Sequence, residues 1–163
     1  MDNLSPDAIK QMAVWYGRAQ IDYLQQYMAA YAAFNVWYSQ LFRTNNDRYA
    51  LTKLRKGVPL WVDYKEGRKL GELEGVMRNI VECTQREPLH TATPHWNGEV
   101  QNIYDWPSLI EYWYRVRCLV MHGSYIEPTY VLLAYESLNI FMSELIPSLQ
   151  ANTVYNSSKT SYN

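Results

Sequence analysis

Apolar positions recur every three or four residues along most of the chain, which is the spacing of an amphipathic helix. Ahead of the polar turn at residues 44–47, these positions are Ile9, Met12, Tyr16, Tyr23, Tyr27, Tyr31, Phe34, Tyr38 and Leu41. Ser5 and Pro6 form a good helix start, and Gly17 is the only glycine in this region. The pattern predicts one long helix up to about residue 43, or two helices joined near Gly17.

Two further helical segments follow the turn. Residues 47–56 predict a short basic helix that ends at Gly57, and residues 60–85 predict a longer helix. A glycine recurs every four residues in the longer segment, at Gly67, Gly71 and Gly75. This spacing predicts either a close approach to another helix or a frayed helix start, since glycine weakens a helix interior.

The second half of the chain predicts a loop followed by two more helices. Residues 86–107 are rich in proline and predict the loop, and we expect Trp96 and Trp106 to anchor it on the core. Residues 105–122 predict the next helix, with an aspartate at the cap and a proline in the first turn. Residues 127–147 predict the last helix, because apolar side chains recur there at three- and four-residue steps.

The elements together predict the fold class. No stretch has the alternating pattern of a strand, so we expect an all-α protein. It should be an up-and-down bundle of four to five helices with a long loop before the fourth helix. We expect residues 1–150 to form a single domain. Residues 151–163 are rich in Ser, Asn and Thr and predict a flexible C-terminal tail.

Composition and charge narrow the class of protein. The 163 residues are 48% apolar, include 15 Tyr and 6 Trp, and carry a net charge of −1, so no global basic field indicates nucleic acid. Residues 43–69 alone carry +5, which predicts either a solvated pair of helices or a local basic surface. Cys83 and Cys118 have no metal or redox spacing and predict buried thiols. With no apolar run near ~20 residues and no signal peptide, we expect a cytoplasmic protein without a membrane span.

The helix at residues 105–122 carries the candidate chemistry. Large apolar side chains cover nearly all of its faces, which predicts burial, yet Arg117 and His122 lie within it and Gly123 follows as the expected stop. On an ideal helix Arg117 and His122 are about 140° apart, whereas Arg115 and His122 share a face. Arg117 and His122 can therefore converge only if the helix end is distorted or if a second chain completes the site.

The string Arg117-Cys118-Leu119-Val120-Met121-His122 has the form Arg-x4-His and precedes a glycine. Together with the Ala-Phe-Asn-Val-Trp-Tyr run at residues 33–38 and the helix after Glu127, it resembles the HEPN superfamily over most of residues 5–148. The resemblance implies an HEPN-like helical bundle. It also implies a metal-independent endoribonuclease that acts as a homodimer, in a toxin–antitoxin or phage-defence setting, with Arg117 and His122 as the catalytic residues. A nucleotidyltransferase-like antitoxin is an expected partner, and no cofactor is expected.

These residue types suit RNA cleavage through attack of the 2′-OH. A histidine titrates near neutral pH and acts as acid or base, and an arginine stabilises the phosphorane charge. The RNA backbone would then be held by basic side chains, namely Arg115, Lys53, Arg55 and Lys56. The sequence departs from the family at Cys118, where a polar residue is common. It departs again at Tyr125, a possible modification site that lies one place later than in some members.

Other interpretations of the same residues stay open. Arg117 would be structural if it paired with Glu82 or Glu136, Arg115 if it paired with Glu111 on the surface, and His122 if it were a plain helix cap. His90 and His95 do not have zinc-ligand spacing, so no metal site is expected. Many HEPN domains are inactive, which makes a non-catalytic dimeric binding module the alternative function.

Overall fold

A computed structural model of the chain describes residues 5–19, 23–57, 70–90 and 94–160. These residues form six helices and no strand: α1 Pro6–Ala19, α2 Leu24–Phe42, α3 Asp47–Leu54, α4 Leu70–Arg86, α5 Trp106–Met121 and α6 Pro128–Thr160. The prediction of an all-α protein is confirmed, although the helices number six and not four or five. Of the two alternatives for the first segment, two helices joined near Gly17 is confirmed, since α1 ends at Ala19, two residues after Gly17, and α2 begins at Leu24.

The longest helix, α6, is the surface on which the others assemble. It packs against α2, α4 and α5, while α3 packs on α2 and α5. The buried faces follow the predicted spacing, because Tyr27, Tyr31, Phe34 and Tyr38 are the buried residues of α2. Helix α5 thus contacts α2, α3 and α6.

Trp113 of α5 is the centre of the core. It is fully buried, and its ring packs with the rings of Phe34 and Phe141 at centroid distances of 5.3 Å and 5.8 Å. Its indole N–H donates to Ser137 Oγ at 2.8 Å, and its backbone carbonyl accepts the Tyr27 hydroxyl. A buried tryptophan of this kind contributes about 3–5 kcal/mol, as measured by truncation to alanine. It therefore fixes how α5 is rotated between its neighbours.

The loop between α4 and α5 is anchored as predicted. Trp96 and Trp106 are both buried, and the Trp106 indole donates to the Leu54 carbonyl at 3.0 Å. Inside the loop the Leu89 N–H donates to the Gly98 carbonyl at 3.1 Å. Gly98 has a φ of +88°, and a Cβ there would lie 2.2 Å from the Leu89 carbonyl oxygen. The loop is thus closed at a position that only glycine fits.

The C-terminal segment is helical where the sequence predicts a tail. Helix α6 continues past Pro147 to Thr160, and residues 146–153 are exposed. Exposure accounts for the polar composition, since such a segment can be helical without burying apolar surface. The flexibility of residues 151–163 stays a prediction. Among the helices that the structure describes, none has both the length and the apolar character that a membrane span needs.

The glycines of α4 do not mediate close packing. Gly71 and Gly75 are exposed, and a Cβ added at either would meet no atom within 4 Å, whereas Gly67 lies outside the described residues. Close approach to another helix is therefore not found at these two positions. The described part of α4 begins at Leu70, just before Gly71.

We predict three different outcomes for three Gly→Ala changes. Gly98→Ala should lower the free energy of unfolding by about 3 kcal/mol or more, because a left-handed backbone and a clash with backbone act together. Gly123→Ala, with a φ of +63° and open space around it, should cost about 1 kcal/mol. Gly75→Ala should stabilise by up to about 1 kcal/mol, since alanine favours a helix interior. Urea denaturation measures all three, and equal effects would contradict the backbone account.

Candidate functional site

The end of α5 is built by a glycine turn. His122 is the C-cap, Gly123 follows with a φ of +63°, and the Ser124 N–H donates to the Leu119 carbonyl at 3.0 Å. The Gly123 N–H donates to Val120 in the same way at 3.1 Å, which completes a Schellman motif. The predicted stop at Gly123 is confirmed. His122 is exposed, so its imidazole is presented to solvent at the helix end.

Helix α5 is buried only in its first part. The five residues 109–113 are all buried, but Arg117 is half-buried and Met121 is 58% exposed. The prediction of a helix buried throughout is therefore wrong for the last two turns. The physical reason is that α5 extends beyond the elements that cover its beginning. Arg117 thus reaches solvent and does not need a buried counter-ion.

Arg117 lies beside α2 and is held by an aromatic ring. Its Cζ is 5.9 Å from the centroid of the Tyr31 ring, a cation–π distance. It forms no ion pair with any residue in the described part of the chain, so Glu82 and Glu136 are not its partners. Burial would lower the pKa of Arg117, but Cys118, Tyr31 and Asp47 beside it outweigh burial and raise it. The guanidinium is a permanently charged group that forms no ion pair in the described part of the chain and offers five N–H donors.

Next to Arg117 lies a polar cluster that we call the Asp47 cluster, formed by Asn35, Tyr38 and Asp47. The Asn35 amide and the Tyr38 hydroxyl each donate to Asp47 Oδ1 at 3.0 Å. The Asn35 amide therefore has a hydrogen-bond partner, as a structural asparagine inside a fold requires. Burial is the main cause that raises the pKa of Tyr38 to about 12.

The hydroxyl of Tyr31 differs from its neighbours. It is buried and has no hydrogen-bond partner among the residues that the structure describes. Burial is the main cause that raises the pKa of Tyr31 well above its ordinary value, and the nearby Tyr38 is the second, so the hydroxyl stays protonated. An unpaired buried donor is costly, on the order of 1–3 kcal/mol. The Arg117 side of α5 thus contains a polar group whose hydrogen bond is not made within the described chain.

Glu111 has a different role from the one that its spacing to Arg115 predicts. It is buried, and its carboxylate pairs with Arg55 at 2.9 Å and with Arg48 at 3.4 Å. Arg48 in turn lies over the Tyr114 ring at 4.6 Å. The prediction of a surface ion pair between Glu111 and Arg115 is therefore wrong. A carboxylate inside the core takes the two cations of α3 and the turn after it because they satisfy its buried charge.

Of the four residues predicted to contact the RNA backbone, two bond to other groups of the protein and two are exposed. The Arg115 Nε donates to the backbone carbonyl of His90. Arg55 is held by Glu111, whereas Lys53 and Lys56 are exposed, with the Lys53 ammonium 5.4 Å from the Tyr49 ring. Tyr125 is 88% exposed, and its possible modification stays a prediction. The basic residues at 58–69 lie outside the described part of the chain.

The structure does not bring Arg117 and His122 into contact within one chain. Arg117 faces Tyr31 and the Asp47 cluster, on the side of α5 that packs against α2 and α3. His122 is the C-cap, and the separation of about 140° on an ideal helix predicts that its side chain leaves α5 on another side. The helix keeps regular α geometry to Met121, so no distortion swings His122 towards Arg117. Of the two ways to complete the site, a second chain is the one that stays open.

Sequence reasoning missed two members of this region, Asp47 and Tyr31. Asp47 was visible only as a polar turn residue before α3, and Tyr31 only as one position of an apolar repeat. The signal that points to Asp47 is the polar Asn35 inside an otherwise apolar helix, because a buried amide needs a partner. No group of three or more metal-binding side chains occurs among the described residues.

We predict that Tyr38→Phe flattens the alkaline loss of stability. The pKa of Tyr38 is about 12 in the folded protein and about 10 when unfolded, so folding favours its neutral form. That contribution is fully present below pH 10 and is lost as the pH rises towards 12. The free energy of unfolding of the Phe variant should therefore fall less steeply over this window in urea titrations. Tyr125→Phe, at an exposed position, is the control and should leave the slope unchanged.

Comparison with known proteins identifies no relative from which a function could be assigned to these residues. The chain matches no protein-family model, no curated protein and no solved structure. The chemistry of the site therefore rests on its own side chains. These are the guanidinium of Arg117, the exposed imidazole of His122 and the polar groups of α2 and α3 beside Arg117.

Proposed function

We propose that this protein is a metal-independent endoribonuclease of the HEPN type that acts in the cytoplasm. It works as a homodimer, in a toxin–antitoxin or phage-defence setting, with a nucleotidyltransferase-like antitoxin as a possible protein partner. The observation that carries the proposal is the end of α5. There, an arginine without an ion pair among the described residues and an exposed histidine project from one helix.

The chemistry assigns one role to each residue. Arg117 holds a non-bridging oxygen of the scissile phosphate and stabilises the charge of the phosphorane. His122 is exposed at the end of α5 and acts as the acid that protonates the leaving 5′-oxygen. The 2′-oxygen attacks phosphorus as its proton passes to solvent water, and the P–O5′ bond breaks, which gives a 2′,3′-cyclic phosphate and a free 5′-OH. The exposed Lys53 and Lys56 contribute charge that holds the RNA backbone.

The two roles meet only across a dimer. Within one chain the side chains leave α5 about 140° apart, which is too far round the helix for both to reach one phosphate. Pairing the α5 ends of two chains would place Arg117 of one copy opposite His122 of the other. A two-fold axis would generate two such sites, each completed by both chains.

We predict that RNA cleavage in the presence of EDTA requires both residues. His122→Ala should lower the rate by about 10²–10⁴-fold, the range for loss of a general acid. Arg117→Ala should lower it by about 10²–10³-fold, since a transition-state donor is lost. A gel assay on a structured RNA measures the rates, and His95→Ala, an exposed histidine in the loop, is the control. Equal cutting by wild type and both variants would overturn the proposal.

Mixing the two inactive variants tests whether the site is shared. A mixed dimer of Arg117→Ala and His122→Ala has one intact site if each site takes its two residues from different chains. Activity should then return to roughly a quarter of wild type at equal mixing, as expected for random pairing of two chains. Mixtures that stay inactive although the subunits exchange would place both residues in one chain's site.

The alternative function is a non-catalytic dimeric binding module. The observation that favours it is an apolar groove of about 580 Å³ between α2 and α6, lined by Val36, Trp37, Leu41, Leu145, Ile146 and Leu149 among others. Val36 is 62% exposed and Leu149 is 44% exposed. Exposed apolar patches of this kind mark interaction sites in soluble proteins. On this view the helix bundle presents a surface to a second copy and cleaves nothing.

We predict that Val36→Glu weakens the dimer without unfolding the chain, because the side chain is largely outside the core. Light scattering over a dilution series should show a lower apparent mass than for wild type. Gln26→Glu, an exposed position on α2 outside the groove, should leave the mass unchanged. A wild-type protein that is monomeric at all concentrations would count against both functions. Toxicity on expression that His122→Ala relieves would separate the nuclease from the binding module.

A further inference from the structure

A second cavity lies on the other side of α5 from Arg117. It has a volume of about 310 Å³ and is lined by the turn after α4, by Leu119 of α5 and by residues 125–130, which lead into α6. The lining side chains that matter here are Glu87, His90, Leu119, Tyr125, Glu127 and Tyr130. This volume is at the lower end of the range for small-molecule sites. It suits a planar ring system better than a folded peptide.

The walls of this cavity are held in place by hydrogen bonds. The Tyr130 hydroxyl donates to the Glu87 carbonyl at 2.6 Å and ties α6 to the end of α4. The Leu89 backbone is bonded to Gly98, and the His90 carbonyl accepts from Arg115. The cavity is therefore formed before any ligand arrives, which lowers the entropic cost of binding.

The lining of the cavity includes two carboxylate acceptors. Neither the Glu87 nor the Glu127 carboxylate takes part in a hydrogen bond or ion pair within the described chain. Two carboxylates repel a phosphate but accept N–H donors. Tyr125 is 88% exposed at the mouth, so its ring face is open for stacking. The chemistry is that of a site for a flat, neutral ring that carries N–H groups.

The cavity lies next to His122. Leu119 lines it, three residues or ~4.5 Å along the axis before His122, and Tyr125 lines it three residues after. Arg115 shares a helix face with His122, and its bond to the His90 carbonyl places the same face against the cavity wall. The imidazole at the end of α5 and this cavity therefore belong to one surface.

We propose that this cavity is a nucleobase pocket that selects guanine in single-stranded RNA beside the scissile phosphate. Guanine presents N1–H and N2–H₂ side by side, which matches the two oxygens of one carboxylate. Adenine offers an amino group next to an acceptor, and uracil offers one N–H between two carbonyls, so each brings an acceptor against the carboxylate. Tyr125 stacks on the base. The assignment of RNA as the ligand rests on the proposed function.

The test uses uncleavable RNA, so that binding is measured apart from catalysis. Heptamers of 2′-O-methyl uridine carry guanosine, inosine, adenosine or uridine at the centre, and fluorescence anisotropy gives each Kd. Wild type should bind the guanosine heptamer about tenfold more tightly than the inosine one, because inosine lacks the N2 amino group. The adenosine and uridine heptamers should bind at least as weakly as inosine.

Variants locate the selectivity. Glu87→Gln or Glu127→Gln should remove the preference for guanosine over inosine, while Glu72→Gln, an exposed carboxylate elsewhere on α4, should keep it. Tyr125→Leu should weaken every heptamer about tenfold, and Tyr125→Phe should not, since both rings stack. All four substituted residues are exposed and lie outside the core, so the variants should fold like wild type.

The outcomes separate this inference from the nuclease. A lack of base preference, a preference that survives both glutamate changes, or no binding of any heptamer at about 1 mM would overturn the guanine pocket. Selective binding by a wild type that cleaves no RNA would overturn the nuclease and leave the pocket standing. Cleavage that depends on His122 but ignores guanine would do the reverse.

Discussion

The burial of Trp113 is the constraint on which the rest of the structure depends. Its ring is enclosed by aromatic side chains of α2, α5 and α6, and its one polar atom is satisfied by Ser137. Because α5 cannot rotate without exposing this indole or breaking that hydrogen bond, every other side chain of the helix has a fixed direction. The core thus determines what the end of α5 presents to solvent, although no core residue takes part in the proposed chemistry.

The fixed rotation gives α5 two different sides. On one side Arg117 and Arg48 lie with the Asp47 cluster, over the rings of Tyr31 and Tyr114. On the other, the face of Arg115 and His122 adjoins a cavity with two free carboxylates. A phosphate is attracted to the first side and repelled by the second, so the two sides suit different parts of one ligand. Glu111 pairs with Arg48 of α3 and with Arg55 in the turn after it, so part of their positive charge is balanced inside the fold.

The fold was largely predictable because helical periodicity and caps are local signals. The aromatic repeat of α2, the Asp105 cap and the Gly123 stop all lie where the sequence places them. The site was less predictable, because its partners come from distant segments. Glu111 is four residues from Arg115, yet it pairs with Arg48 and Arg55, more than fifty residues away. Spacing shows which residues share a face, but only packing shows which face is covered.

The proposed chemistry requires a dimer for a geometric reason, because Arg117 and His122 lie on different sides of α5. On the proposals above, a guanine in the cavity would lie at the His122 side, and its phosphate would need a guanidinium to stabilise the charge of the phosphorane. The chain's own Arg117 lies round the helix, beyond the body of α5, so one nucleotide cannot touch both. An Arg117 from a second copy, placed against the His122 end, meets that need without bending the helix. The active unit, if it cleaves RNA, is therefore the pair of chains, with each base pocket serving a phosphate bound by the other copy.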